Sequence, residues 1–129
     1  MSDLNSDKNR FVWMDIPVDD LDRACDFYAG VLAIKVLQES FGEIRFAVLE
    51  HEDGNGGCLV PRPQGTSPSE GGPIVYLNVD GRLKEACGLV EKLGGTITAP
   101  THAIGPHGFR ALIKDSEGNA FALHSNTDA

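Results

Sequence analysis

A chain of 129 residues, 41% hydrophobic and 23% charged, has the size and mix of one globular domain or of two small modules sharing a core. Its 11 basic and 19 acidic residues leave a net charge of −8, which excludes the cationic surface that nucleic acid requires. No apolar run reaches the ~18–20 residues of a membrane span, and three cysteines without short spacing give neither a disulfide framework nor a zinc motif.

The chain opens on MSDLNSDKNR, residues 1–10, polar and without a hydrophobic signal segment. We read it as a flexible arm of a cytoplasmic protein. Phe11 to Val18 is apolar and uninterrupted before Pro17, which predicts a strand. Asp19-Asp20 stops it and supplies a helix N-cap where the dipole favours negative charge. Leu21, Ala24, Cys25, Tyr28, Val31 and Leu32 then recur on one helical face. Ala33–Ser40 and Glu43–Leu49 read as strands joined in a hairpin at Phe41-Gly42. Glu50–Gly57 is a turn cluster, facing solvent, and Cys58–Val60 is a short strand stopped by Pro61-Arg62-Pro63. Residues 11–63 thus form one βαβββ module.

Residues 64–72, QGTSPSEGG, have linker composition. The order then repeats over 73–126: a strand Ile74–Val79, the turn Asp80-Gly81, and a helix presenting Leu83, Ala86, Cys87, Val90 and Leu93. Gly94-Gly95 ends that helix. A strand Thr96–Ala99 leads into a loop Pro100–Gly108, and Phe109–Lys114 and Ala120–Ser125 pair across the turn DSEGN. Val18 falls on Val79 at an offset of 61, Ala24-Cys25 on Ala86-Cys87 at 62, and Glu52–Asn55 on Ser116–Asn119 at 64. Such internal similarity means two copies of one supersecondary unit. Neither copy has the apolar surface to stand alone. The expected fold is α+β, with two βαβββ modules forming one domain, a cup-shaped mixed sheet and helices outside, and the groove between inner faces is the expected ligand site.

WMDIPVDDLDRACDFYAGVLAIKV at the start of the first module and FRALIKDSEGNAFALHS at the end of the second carry a family likeness. Over residues 10–126 the chain resembles the vicinal oxygen chelate superfamily: glyoxalase I, bleomycin-resistance proteins and extradiol dioxygenases. Within it the chain is most similar to small glyoxalase-like proteins related to lactoylglutathione lyase. The resemblance implies pairing of modules, commonly in a homodimer. It also implies a divalent metal held by His, Gln or Glu from the first and last strand of each module. Carried onto this sequence, those positions fall on Trp13, Cys58, Ile74 and Ala122, which do not form a site for a hard dication.

One pleat along, the same faces should present Asp15, Tyr76, Asn78 and His124. Asp15 and His124 alone among these have metal-ligand chemistry, so a divalent metal held through them is the alternative to a metal-free cup. His102 and His107 fall in the Gly/Pro loop, where His107 is a candidate ligand contact. Arg45 and Arg110 occupy similar places in the two modules, as anion contacts or as outward-facing strand residues. Cys58 lacks a basic partner or helix N-terminus to lower its pKa. Two functions follow. One is a small-molecule binding protein without a metal cofactor, its site built from Trp13, Asp15, Cys58, Ile74, Tyr76, Asn78, His107, Ala122 and His124. The other is a lyase or isomerase in which His124, oriented by Asp15, is a general base. An interaction module without a ligand would leave the cup's apolar surface bare.

Overall fold

The computed structural model describes residues 10–68 and 71–129; the expected arm therefore lies, apart from Arg10, outside the described residues. The first module runs β1 (Trp13–Val18), α1 (Leu21–Leu32), β2 (Val36–Phe41), β3 (Ile44–Leu49) and β4 (Gly56–Pro61). The second runs β5 (Tyr76–Asn78), α2 (Leu83–Lys92), β6 (Thr96–Ala103), a single 3-10 turn at Gly105–His107, β7 (Phe109–Lys114) and β8 (Ala120–Ser125). Each module is a four-stranded mixed sheet of one topology, β1-β4-β3-β2 and β5-β8-β7-β6, with the first and last strands parallel. The fold class is the expected one. No helix among the described residues is long and apolar enough to cross a membrane.

α1 forms where the apolar period and the acidic start predict it. Asp20 is the N-cap, its side chain accepting from the Arg23 backbone N–H at 3.0 Å. The helix ends at Ala33, in the left-handed region at φ 55°. Its apolar stripe, with Ala24, Phe27, Tyr28 and Val31 fully buried, packs on β2–β4 and also on α2. Leu83, Ala86 and Val90 do the same for α2 and β6–β8. One continuous core therefore spans both modules.

One expectation about local structure needs correcting. β6 continues to Ala103, through Pro100, so His102 lies on a strand and only residues 104–108 form the loop. β6 is an edge strand paired to β7 alone, and its register shifts between Ile97 and His102, so a proline there forfeits no essential bond.

The turn DSEGN does more than reverse the chain. Asp115, Glu117 and Asn119 are buried, and all three reach into the other module. Tyr28 donates to Asp115 Oδ2 at 2.6 Å, and Asn119 Nδ2 donates to the Pro17 carbonyl at 2.8 Å. Glu117 Oε1 accepts from the backbone N–H groups of Asp19 (2.9 Å) and Asp20 (3.0 Å), while Arg23 grips both its oxygens at 2.7 and 2.8 Å. A carboxylate at a helix N-terminus satisfies donors that have no partner inside the helix. At the far end of α1, Arg82 Nη1 donates to the Val31 carbonyl at 2.6 Å. The modules are thus pinned at both ends of one helix.

Burial alone would raise the Glu117 pKa, but the bonds from Arg23, Asp20, Ser116 and Asp19 outweigh it and hold the carboxyl at about 2, against an ordinary 4.5. A depressed folded-state pKa stabilises the protein above the unfolded value and loses that contribution as pH falls through the folded one. Glu117→Gln should therefore cost about 3 kcal/mol at pH 7, the stability contributed by a buried carboxyl held at about 2 instead of 4.5. The gap to the wild type should close between about pH 4.5 and about 2. Urea melts at several pH values measure this. A gap independent of pH would contradict the assignment.

Candidate functional site

Alternation along the strands gives each sheet a helix-side face and an opposite face. On β1, Met14, Ile16 and Val18 turn to the helix, and Trp13, Asp15 and Pro17 turn away. Register sets Asp15 beside Cys58, Cys58 beside Val48 and Val48 beside Leu37. The Cys58 thiol donates to Asp15 Oδ1 at 3.2 Å. Burial, and then this bond, push the thiol pKa up to about 11, so Cys58 is an uncharged thiol at neutral pH.

His51 was expected to face solvent. Instead its ring stands edge-on to Trp13, with centroids 5.5 Å apart and an 88° interplanar angle. Its Nδ1 lies 3.1 Å from the Gly54 carbonyl. Gly56, opposite Trp13 in the ladder, makes this possible: a Cβ there would stand 2.4 Å from His51 Cδ2. The glycine cluster was visible in the sequence, but what it makes room for was not.

In the second module Ile74 precedes β5 and is 47% exposed, and Tyr76 is exposed to a similar degree. Tyr76 pairs with Ala122, which is fully buried, and Asn78 pairs with His124. Asn78 Oδ1 accepts from the Asp80 N–H at 2.9 Å. The His124 ring donates through Nε2 to the His107 carbonyl at 2.7 Å, so His107 enters through its backbone and not its imidazole. Within the chain no hydrogen bond or ion pair joins Asp15 to His124.

The two arginines part company. Arg45 lies on the helix side of β3, bonded to Gln38 and Asp22 of α1. Arg110 lies on the opposite face of β7, donating to Tyr76 Oη at 2.6 Å and to His102 Nε2 at 2.9 Å. The offset of 64 that maps Ala47-Leu59 onto Ala111-Leu123 explains this, since it places Arg110 over Phe46 and Arg45 over Phe109.

Between the modules, where β1 and the start of β5 diverge, lies a crevice of about 740 Å³. Trp13, Met14 and His51 form one wall, and Ile74, Tyr76 and Asn78 the other. Its volume and mostly apolar walls suit a small organic molecule. Of the residues singled out from sequence, it gathers Trp13, Ile74, Tyr76 and Asn78, while Asp15, Cys58, His107, Ala122 and His124 lie outside it.

The four metal positions of the family pattern hold Trp13, Cys58, Ile74 and Ala122. Trp13, Ile74 and Ala122 supply no ligand atom, and the Cys58 thiol holds its proton firmly. The residues present do not fit a hard divalent ion. Among the described residues no group of three or more His, Cys, Asp or Glu is placed to hold a metal.

The model of the Glyoxalase/Bleomycin resistance protein/Dioxygenase superfamily matches residues 10–123. A glyoxalase/bleomycin resistance protein from Albidiferax ferrireducens T118 superposes with a TM-score of 0.71 at 16% identity, covering 91% of this chain and 99% of that one. Glyoxalase I from Zea mays gives a TM-score of 0.70 at 23% identity, but only 45% of its chain is covered, against 88% of this one. TioX from Micromonospora sp. ML1 gives 0.60 at 21% identity, over 92% of this chain and 99% of that one. No curated protein matches the sequence. At these identities the structural likenesses speak for the fold alone.

Proposed function

The chain belongs to the Glyoxalase/Bleomycin resistance protein/Dioxygenase superfamily, and from that premise we propose that it binds a small organic molecule between its modules without the usual family metal. The observation that carries this reading is the residue set at the metal positions: an indole, a thiol, a sec-butyl group and a methyl group. Lewis-acid chemistry at these positions needs hard donors, whereas sequestration needs only affinity. The crevice supplies the affinity. Trp13 and Tyr76 offer flat surfaces for stacking, and the aliphatic side chains of Met14 and Ile74 offer contact area. Proton transfer by His124 has less support, because Asp15 is bonded to Cys58 and does not orient the imidazole.

The same reading includes a second copy of the chain as partner. β1 and β5 are both sheet edges, and Phe11, Ile74, Val75 and Tyr76 stand exposed near them. Open edges beside apolar side chains favour pairing with another chain. Sedimentation equilibrium should give twice the 13.8 kDa chain mass, and a monomer throughout the micromolar range would contradict the pairing.

Binding can be read with N-phenyl-1-naphthylamine, an uncharged aromatic dye that brightens in apolar surroundings. Ile74→Glu puts a charge in the crevice wall at a half-exposed position, where folding should tolerate it. It should weaken the dye by about ten-fold, the cost of burying an unpaired charge. Unchanged affinity in the variant would remove the crevice as the binding site.

A further inference from the structure

We propose that Arg110 is an anion-binding residue and that the ligand of this protein carries a carboxylate or phosphate group. This inference rests on the reading of the crevice as a small-molecule site and adds the ligand's charge.

In a chain with 19 acidic and 11 basic residues, carboxylates are plentiful partners. Arg23, Arg45, Arg62 and Arg82 each hold one: Glu117, Asp22, Asp19 and Glu85. Arg110 holds none among the described residues. Its partners are a phenol oxygen and an imidazole nitrogen, neither of them a carboxylate. His102 Nδ1 lies 2.8 Å from the Pro100 carbonyl and donates to it, which leaves Nε2 as the acceptor for Arg110 Nε. The guanidinium is thus held in place by groups that leave its charge uncompensated.

Two of its five N–H donors are used in this way, and among the described residues Nη2 has no partner. Among the described residues the only buried side-chain N or O atom lacking a partner belongs to Arg82, so Arg110 Nη2 is open to solvent. A fixed guanidinium fork with free donors matches the geometry of carboxylate and phosphate oxygens.

The rest of the row points the same way. Register places His102, Arg110, His124 and Asn78 side by side across all four strands of the second sheet. The corresponding row of the first sheet pairs Pro17 with Val60 and Glu39 with Phe46. The fold needs no arginine or histidine in that row, since its own first copy does without them. Tyr76 joins the row to the crevice, because its ring lines the wall while its hydroxyl accepts from Arg110. A ligand stacked in the crevice can therefore extend an anionic group to Nη2.

The test compares two dyes of one shape. 8-Anilino-1-naphthalenesulfonate is the sulfonated counterpart of N-phenyl-1-naphthylamine, and its sulfonate stands in for the ligand's anion. Arg110→Gln should weaken the sulfonated dye about ten-fold, the scale of a lost charge-assisted pair, and leave the neutral dye within about two-fold. Arg45→Gln, on the helix side of the other sheet, should change neither. Inorganic phosphate and acetate, each compared with chloride at equal ionic strength, then separate the two anion classes by which one displaces the sulfonated dye. Equal affinity for that dye in wild type and Arg110→Gln, or displacement by neither anion, overturns the inference and leaves the crevice reading standing. If the wild type binds neither dye, the crevice reading fails and this one falls with it. If Arg110→Gln loses both dyes, His102→Leu decides, because it lies outside the crevice lining, keeps the guanidinium and removes its other anchor. It should weaken the sulfonated dye by about two- to three-fold with the neutral dye unchanged, and no selective loss there overturns the proposal.

Discussion

Glu117 carries its charge inside the protein, with its side chain fully buried between a helix start in one module and a hairpin turn in the other. A lone carboxylate in that position would be costly, and the cost falls only if Arg23 and two backbone N–H groups meet it. Those groups meet it only when the β7–β8 turn sits against the N-terminus of α1. The ion therefore acts as a positional constraint: it selects one relative placement of two modules whose apolar faces alone would allow several. Tyr28 with Asp115, and Asn119 with the Pro17 carbonyl, repeat the same constraint with neutral donors.

The placement has a consequence on the other side of the molecule. With α1 and α2 packed together and the DSEGN turn seated on α1, the edges β1 and β5 form no ladder with each other. The crevice opens between them, and four exposed apolar residues, Phe11, Ile74, Val75 and Tyr76, line it. Core and site are thus linked by geometry, since what fixes the modules on the helix side also holds the gap open. The two modules then line that gap differently. The first contributes Trp13 and His51, and the second contributes Tyr76 with Arg110 behind it.

Much of this was legible in the residues. The period of Leu21 to Leu32 gave α1, Asp20 its cap, and offsets of 61 to 64 the repetition of one topology. Strand alternation placed Trp13 and Asp15 on one face and Tyr76 and Asn78 on another. What escaped depends on contacts far apart in sequence. DSEGN has the composition of an ordinary turn, and only a partner 94 residues away turns Glu117 inward. Pro100 reads as a strand breaker unless β6 is known to be an edge. The pairing of Arg45 with Arg110 failed by one residue, and on a pleated strand one residue reverses the face. Aligning Ala47 with Ala111 instead would have separated them, a signal present in the sequence.

The proposal of a metal-free protein turns on the four strand positions that the family pattern assigns to metal ligands, of which Trp13 and Ile74 also line the crevice. Trp13, Cys58, Ile74 and Ala122 offer an indole, a thiol whose pKa burial raises, and two aliphatic side chains, the basis of the proposal that the protein retains a ligand and does not activate it. Elemental analysis of protein purified without chelators, with thermal shifts on adding Ni²⁺, Zn²⁺, Mn²⁺ and Fe²⁺, tests this most directly. A metal-free chain whose melting temperature no ion selectively raises is the predicted result. A stoichiometric divalent metal, or a large shift specific to one ion, would contradict the account.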